Sequence, residues 1–309
     1  SCIGSRSSPM GVKVGLISYG QECLGLQYLS AFLKKHGHDV RLFYDPCLFD
    51  DKLLLHYPRL NRFFSQQKRI VREVAAYAPD LVGIPVLTDT FPWATAYARM
   101  IRDALPSVKL AAGATHVTIL PERVAESGAF DYLVRGEGEV SFAALADALE
   151  AGSDRTDVPG VWYCTGDGVI ENELPPLEED LAFFGTPDRT IYEPHINMQQ
   201  TLLAVSSRGC LYDCSYCHHN ATRKIYRGKG KYLRRLTADD FVEMLAESYD
   251  RYHYRSLQIY DEIFVYDVPW LERFADLYAR RVGVPYICLG HPTFMSEPVV
   301  QALKASNCF

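Results

Sequence analysis

The sequence predicts an α/β protein in which a doubly wound, Rossmann-like domain precedes a second series of βα units. Short β-branched runs alternate with amphipathic helical stretches from residue 10 to about residue 151. The runs are almost continuously apolar, which is typical of parallel strands that helices bury on both faces. After a proline-rich stretch, the same alternation begins again near residue 201. These observations predict a domain at 10–151, a hairpin and linker at 152–200, and a second domain at 201–309.

The first domain is predicted to alternate strands and helices in chain order. Gly37 is expected to end the first helix, because glycine adopts the left-handed conformation that helix ends favour. The strands are predicted at Val12–Ser18, Asp39–Tyr44, Leu81–Leu87, Val108–Ala112 and Tyr132–Val134. The helices are predicted around Leu26–Leu33, Arg59–Tyr77 and Trp93–Met100, with a last helix that ends near Ala151.

The second domain repeats this pattern as the first half of a (β/α) barrel. A long loop is predicted at Arg208–Tyr232, after the first strand. Three βα units are too few to close a barrel, so we expect the barrel to continue beyond Phe309. The strands are predicted at Leu202–Ser206, Leu257–Tyr260 and Pro285–Leu289, with helices starting at Thr237, Pro269 and Ser296.

Composition and charge exclude several classes of function. The net charge is -6 and the pI is about 5.9, which argues against bulk nucleic-acid binding. Basic residues interleaved with tyrosine in Arg223–Arg235 could contact RNA or an anionic substrate, but a solvated loop is the favoured interpretation. No apolar run approaches the ~20 residues of a membrane span. Nine cysteines, an odd number, predict a reducing, cytoplasmic compartment rather than a disulfide framework.

Three of the cysteines fall within eight residues and carry the strongest chemical signal. Cys210, Cys214 and Cys217 directly follow a predicted strand, at the end where parallel βα folds place reactive groups. Three thiolates can hold three irons of a [4Fe–4S] cluster and leave the fourth open, whereas electron-transfer clusters use four cysteines. The alternative is a zinc site that uses the same cysteines with His218 or His219.

This C-x3-C-x2-C motif, with Tyr216 before its third cysteine, resembles the radical S-adenosylmethionine superfamily. The resemblance implies that the open iron binds S-adenosylmethionine, which is cleaved to a 5′-deoxyadenosyl radical. It also implies a cofactor pocket that includes Tyr216, His218, Asp261 and Glu262. Family members carry an acidic or Gly-Gly-Glu motif at this strand end. Here Tyr260-Asp261 stands in place of the two glycines, before Glu262. The sequence does not decide which of the two carboxylates contacts the cofactor. The alternative is that both acids only cap a turn at the end of the strand.

The first domain resembles the cobalamin-binding domain found upstream of radical S-adenosylmethionine barrels. Small residues at successive strand ends would let a flat corrin lie against the sheet at its switch point. The alternative is a set of ordinary tight βα turns. No Asp-x-His-x-x-Gly motif is present, so cobalamin is expected without a histidine beneath cobalt, and His116 is at most a pocket residue. The implied cobalamin-binding residues are Gly20, Val86, Leu87, Thr88, Gly113, Ala114, Thr115, His116, Gly136, Glu137 and Gly138.

Together the two resemblances imply a cobalamin-dependent radical S-adenosylmethionine enzyme, most simply a methyltransferase that acts on an unactivated carbon. The alternatives are a cyclase or ring-rearranging enzyme of the same family and a corrinoid carrier without catalysis. The implied partners are a small-molecule or natural-product substrate and an electron donor such as flavodoxin or ferredoxin. The sequence identifies neither the substrate nor a catalytic side chain.

Overall fold

The computed structural model describes residues 11–51 and 55–309, and these form two compact units. The first unit ends at Pro175 and the second runs from Pro176 to Phe309. The boundary falls inside the predicted hairpin and linker, because the hairpin joins the first sheet and the following residues pack on the second unit. Buried Arg189 shows why: it donates to the Leu203 carbonyl at 3.0 Å. The predicted start at Met10 lies outside the described residues, as does Cys2.

The first unit is built on one sheet with the order β2-β1-β5-β6-β7-β8-β9. The strands from β2 to β7 are parallel, and the hairpin β8–β9 adds an antiparallel edge. The strands are β1 (Lys13–Tyr19), β2 (Asp39–Asp45), β3 (Asp50–Asp51), β4 (Leu55–His56), β5 (Leu81–Pro85), β6 (Lys109–Gly113), β7 (Tyr132–Val134), β8 (Val161–Thr165) and β9 (Gly168–Ile170). The helices are α1 (Leu24–Lys35), α2 (Pro58–Phe64), α3 (Gln67–Tyr77), α4 (Phe91–Ala104), α5 (Thr115–Ile119), α6 (Pro121–Ala125) and α7 (Gly138–Glu150).

The core of this unit confirms a sheet covered on both faces. Consecutive residues of β1, among them Val14, Leu16 and Ile17, are fully buried although their side chains alternate between faces. Gly83 lies at a close contact between β5, β1 and α7, since a Cβ there would come within 3.1 Å of Leu16 and Phe142. The mixed α/β class predicted from the sequence is therefore confirmed.

The helices differ from the prediction in two places. The stretch Arg59–Tyr77 is not one helix, because Ser65 adopts an extended ψ of 126° and separates α2 from α3. Its two halves share no apolar face: Ile70 and Val74 are buried, whereas Phe63 is exposed. Helices α5 and α6 were not predicted, because they are too short to show a helical period.

The second unit contains a parallel sheet with the order β10-β13-β14 and a separate antiparallel pair, β11–β12. The Arg208–Tyr232 segment, predicted as a loop, contains α8. Thr237 caps α9 as predicted, since its hydroxyl accepts from the Asp240 amide. The strands are β10 (Thr201–Ala204), β11 (Ser207–Arg208), β12 (Arg234–Arg235), β13 (Ser256–Ile259) and β14 (Tyr286–Cys288). The helices are α8 (His218–Ile225), α9 (Ala238–Tyr252), α10 (Val268–Arg281) and α11 (Glu297–Ala305).

Aromatic side chains fill the core between α9, α10 and this sheet. Phe274 lies at their centre, stacked on Trp270 at 5.5 Å and edge-on to Phe264 at 5.1 Å. Such pairs add about 0.5–1.5 kcal/mol to the free energy of area burial. The rigid core therefore supports the strand ends that carry the candidate site. Among the described residues, no helix is both long and apolar enough to cross a membrane.

Candidate functional site

The predicted site residues of the second unit follow neighbouring parallel strands at the same edge of the sheet. The cysteine loop follows β10 and β11, and the Asp261–Glu262 pair follows β13. His291, which was not predicted, follows the third strand, β14. Because these strands are parallel, their carboxyl ends meet at one edge. The fold thus brings the cysteine loop and the acidic pair to one place.

The cysteine loop turns on a glycine that the sequence analysis did not select. Gly209 has a φ of +90°, and a Cβ there would lie 2.3 Å from the Tyr232 carbonyl oxygen. Only glycine avoids both the left-handed strain and that backbone clash. The three cysteines that follow are each partly exposed, and α8 begins directly after Cys217.

Side chains from α8 and the strand ends brace this loop. Arg223 donates to the carbonyl oxygens of Cys210 and Tyr212, the latter at 3.2 Å, and its guanidinium lies 5.0 Å from the Tyr232 ring centroid. Tyr212 also packs on His291, with ring centroids 4.5 Å apart. These contacts hold the loop against both α8 and the end of β14.

The spacing of the thiols bears on which metal group they could hold. In the described part of the chain, the close groups of possible ligands, whose atoms lie within 4.8 Å of one another, do not include the three cysteines. A mononuclear tetrahedral zinc site, with Zn–S bonds of about 2.3 Å, places its sulfurs about 3.8 Å apart. The thiols are thus not gathered as a mononuclear zinc site would gather them.

Asp261 and Glu262 lie in opposite environments although they are adjacent. The Asp261 carboxylate is buried and accepts hydrogen bonds from the Ser206 amide at 2.6 Å, the Ser206 hydroxyl at 2.5 Å and the Ser207 hydroxyl at 2.8 Å. Arg235 lies 3.6 Å away and is itself buried. Burial raises the pKa of Asp261, although Arg235 opposes that shift. The oxygens of Asp261 thus already accept hydrogen bonds from the protein itself.

Glu262, in contrast, is exposed and lies beside the residues that follow Cys217. Its Oε1 is 3.1 Å from Nε2 of His219. The imidazole lowers the pKa of Glu262, because it stabilises the carboxylate form. His218 stacks on His219 with centroids 4.1 Å apart, and burial lowers the pKa of His218. An available carboxylate and two imidazoles therefore adjoin the cysteine loop.

Tyr216 and a second pair of cysteines complete the description of this unit. The Tyr216 side chain is 91% exposed, so it is free to contact a bound molecule beside the thiols. Cys288 and Cys308, two cysteines outside the motif, lie next to each other with sulfurs 3.9 Å apart. They form a pair of their own on β14 and the C-terminal segment.

The predicted residues of the first unit lie at the ends of four adjacent parallel strands. They follow β1, β5, β6 and β7, which are neighbours in the sheet. The order reverses between β1 and β5, which makes this the switch point where open α/β sheets bind ligands. The residues concerned are Gly20 after β1, Val86, Leu87 and Thr88 after β5, Gly113, Ala114, Thr115 and His116 at the end of β6, and Gly136, Glu137 and Gly138 after β7.

Hydrogen bonds join these strand ends into one surface. Nδ1 of His116 lies 3.0 Å from the Thr88 hydroxyl, and its amide donates to the Val86 carbonyl at 3.2 Å. The Gly136 amide donates to the Thr118 hydroxyl at 2.9 Å. Ala114 has φ 76° and ψ -168°, a region that is almost restricted to glycine. Such strain is typical of segments that approach a ligand closely.

His116 itself is enclosed rather than presented to solvent. It is 6% exposed, and its Nε2 has no hydrogen-bond partner in the described chain. Burial lowers the pKa of His116, with a smaller contribution from Arg123. The ring packs on Phe91 at 5.1 Å. The ring thus connects the loop after β6 to Thr88 and Phe91, which follow β5.

Comparison with known proteins confirms the resemblance found in the sequence. Residues 13–146 match the B12 binding domain family. An uncharacterized methyltransferase of Pyrococcus horikoshii is 25% identical over 294 residues, which cover 92% of this chain and 58% of that protein. The anaerobic magnesium-protoporphyrin IX monomethyl ester cyclase of Rubrivivax gelatinosus is 26% identical over 233 residues, 72% of this chain and 39% of that protein. The chain thus spans about half the length of these relatives.

Solved structures share the fold. The radical S-adenosylmethionine methyltransferase TsrM from Kitasatospora setae, solved with cobalamin and a [4Fe–4S] cluster, superposes with a TM-score of 0.73 at 17% identity. The match covers 97% of this chain and 60% of that one. The cobalamin-dependent S-adenosylmethionine radical enzyme OxsB, solved with aqua-cobalamin and S-adenosylmethionine, gives a TM-score of 0.69 at 17% identity, over 95% and 41% of the two chains.

Proposed function

We propose that this chain, a relative of the cobalamin-dependent radical S-adenosylmethionine enzymes, is the catalytic part of a methyltransferase that acts on an unactivated carbon. The observation that carries the proposal is the combination of a B12 binding domain at 13–146 with a three-cysteine loop at the end of β11. A corrinoid carrier would need no such loop. Several relatives are named methyltransferases or methylases, among them the hopanoid C-3 methylase of Methylococcus capsulatus.

The three cysteines are the proposed ligands of a [4Fe–4S] cluster. Their place directly after β11, in a loop held by Gly209 and Arg223, supports this assignment. When bound, the cluster and S-adenosylmethionine supply a 5′-deoxyadenosyl radical and methylcobalamin supplies the methyl group. The protein's own contribution is to bind and orient these groups.

We assign the S-adenosylmethionine ammonium to Glu262 rather than to Asp261. Glu262 is exposed and ionised, whereas the oxygens of Asp261 are engaged by Ser206 and Ser207. Asp261 then holds the β10 and β13 ends together. Exposed Tyr216 and neighbouring His218 would line the same pocket.

Cobalamin is proposed to bind at the ends of β1, β5, β6 and β7, with no histidine beneath cobalt. The buried Nε2 of His116 and the contact of its Nδ1 with Thr88 support this, because neither nitrogen faces outward. Electron paramagnetic resonance of the cob(II)alamin form should then lack nitrogen superhyperfine splitting. Splitting that disappears in His116→Ala would contradict the assignment.

The partners follow from the same chemistry. The substrate is proposed to be a small molecule, and reduction of the cluster requires an external donor such as flavodoxin or ferredoxin. Exposed Arg227 and Lys231, in the segment that follows α8, are suitable for an acidic donor. A cytoplasmic location stays a prediction.

The direct test is cleavage of S-adenosylmethionine by anaerobically purified, reduced protein. We expect wild type to release 5′-deoxyadenosine and the Cys210→Ala/Cys214→Ala/Cys217→Ala variant to release none. Cys288→Ala/Cys308→Ala is the matched control and should retain the activity. A triple variant that keeps its iron and its cleavage would refute the site.

A radical cyclase is the second candidate, because relatives such as the cyclase of Rubrivivax gelatinosus are named for that activity. Once a substrate is found, methylation should yield one S-adenosylhomocysteine and one 5′-deoxyadenosine per product. Product with 5′-deoxyadenosine but without S-adenosylhomocysteine would favour the cyclase.

A further inference from the structure

A buried histidine at the opposite edge of the first sheet lacks hydrogen-bond partners. His38 directly precedes β2 and is 4% exposed, and neither ring nitrogen makes a hydrogen bond within the described residues. A buried polar group without a partner costs about 1–3 kcal/mol. No hydrogen bond within the described chain thus satisfies the ring, which leaves ionic or metal contacts for its nitrogens.

Two carboxylates from the last turn of α7 approach this ring. Asp147 Oδ1 lies 3.1 Å from Nε2, and Glu150 Oε2 lies 4.0 Å from Nδ1, in both cases without hydrogen-bond alignment. His36, at the end of α1, brings its Nδ1 to 3.6 Å from Asp147 Oδ2. The ligand atoms of His38, Asp147 and Glu150 all lie within 4.8 Å of one another.

The charge at this end of α7 also points to a bound cation. A helix C-terminus carries partial negative charge and is stabilised by cations. The last turn of α7 has the opposite composition, with Asp147 and Glu150 and no basic residue. Two carboxylates here repel each other and the helix dipole unless a positive charge lies between them.

We propose that His38, Asp147 and Glu150 bind a Zn²⁺ ion, with His36 orienting Asp147 from outside the ligand set. Imidazole and carboxylate ligands at about 2.0–2.2 Å in tetrahedral geometry lie about 3.3 Å apart, close to the 3.1 Å between His38 Nε2 and Asp147 Oδ1. The imidazoles favour zinc over magnesium or calcium, which prefer oxygen ligands. The ion would tie the turn between α1 and β2 to the end of α7, away from the proposed cobalamin surface.

The test measures Zn²⁺ binding to the full chain by isothermal titration and metal analysis. The site variant is Asp147→Asn/Glu150→Gln, whose carboxylates are partly exposed and thus replaceable without loss of fold. Asp103→Asn/Glu126→Gln is the matched control, because it removes two exposed carboxylates from the same unit. Wild type and control should bind one zinc equivalent more than the site variant. His36→Ala should weaken the zinc affinity about tenfold or more while the buried ring stays intact.

X-ray absorption at the zinc edge identifies the ligands of that equivalent. We expect nitrogen and oxygen ligands with imidazole scattering in wild type and control. Equal zinc stoichiometry and affinity in wild type, the site variant and the control would overturn the proposal. A zinc site with only sulfur ligands would overturn it too. This outcome is independent of whether the cysteine loop binds a cluster.

Discussion

Two adjacent carboxylates show how the environment of a residue decides its role. Asp261 is enclosed by Ser206, Ser207 and Arg235, whereas Glu262 is open to solvent beside His219. The sequence places both residues at the end of the same strand and does not show which carboxylate is available to a ligand. The difference arises from the segment that follows β10, where Ser206 and Ser207 donate hydrogen bonds to Asp261 only.

The first prediction concerns this pair. Glu262→Gln should weaken S-adenosylmethionine binding by about 10- to 100-fold, since a charge-assisted hydrogen bond contributes about 1.5–3 kcal/mol. It should leave the unfolding midpoint almost unchanged. Asp261→Asn should lower the free energy of unfolding by about 3 kcal/mol, because Arg235 loses its buried partner. Equilibrium binding and denaturant titration measure the two effects, and the reverse pattern would contradict the assignment.

The second prediction concerns pH. Burial lowers the pKa of His116 below its ordinary 6.5, so the unfolded chain takes up the proton first as the pH falls. Stability that is fully present above pH 6.5 should therefore decline as the pH falls toward the lowered pKa. His116→Gln should make this decline shallower in thermal unfolding between pH 7 and pH 5. His253→Asn replaces an exposed histidine and is the control; an equal slope in all three proteins would exclude a role for His116.

At the scale of elements, the site depends on loops whose shape is set by single residues. Gly209 illustrates this, because its left-handed φ and its approach to the Tyr232 carbonyl let β11 pair with β12 before the cysteines begin. A sequence pattern shows that a glycine is present but not what it packs against. The brace from Arg223 is equally invisible in sequence, since it depends on α8, which the prediction treated as loop.

The third prediction separates clash from backbone strain. Gly209→Ala should largely abolish cluster incorporation, because its Cβ would lie 2.3 Å from a backbone oxygen. Gly228→Ala is the matched control: Gly228 also has positive φ, at 79°, but nothing lies within 4 Å of the added Cβ. It should reconstitute a cluster at almost the wild-type level. Iron and sulfide analysis compares the two, and equal incorporation would show that the close approach is unimportant.

The fourth prediction concerns the loop after β6. Ala114→Gly should raise the free energy of unfolding by about 1–3 kcal/mol, because glycine relieves the strain at φ 76° and ψ -168°. Ala111→Gly, in the interior of β6, is the control and should lower it by about 0.5–1 kcal/mol. Denaturant unfolding measures both, and destabilisation by Ala114→Gly would argue against strain at that position.

Sequence reasoning succeeded where periodicity or motif is strong and failed where short elements depend on tertiary contacts. The strand at Tyr132–Val134 was predicted with its observed bounds, and most other strands within two residues. Helices α5 and α6 were missed because five residues carry no clear period. The hairpin β8–β9 was found, but its pairing with β7 was not, since long-range register is not encoded locally.

At the scale of the whole molecule, each unit carries its candidate site at the carboxyl end of its own parallel sheet. The first does so at the switch point between β1 and β5, and the second beyond β10, β13 and β14. The B12 binding domain match and the cysteine loop together make the central claim, a protein that holds both a corrinoid and a [4Fe–4S] cluster.

The most direct test of that claim is the metal content and absorption spectrum of the anaerobically purified and reconstituted chain. We predict about four irons and about four sulfides per chain, with one cobalt as cobalamin. Charge-transfer absorption of the cluster should disappear in the Cys210→Ala/Cys214→Ala/Cys217→Ala variant, while the cobalamin bands persist. Zinc on the cysteines without iron, or a chain that retains no cobalamin, would contradict the account.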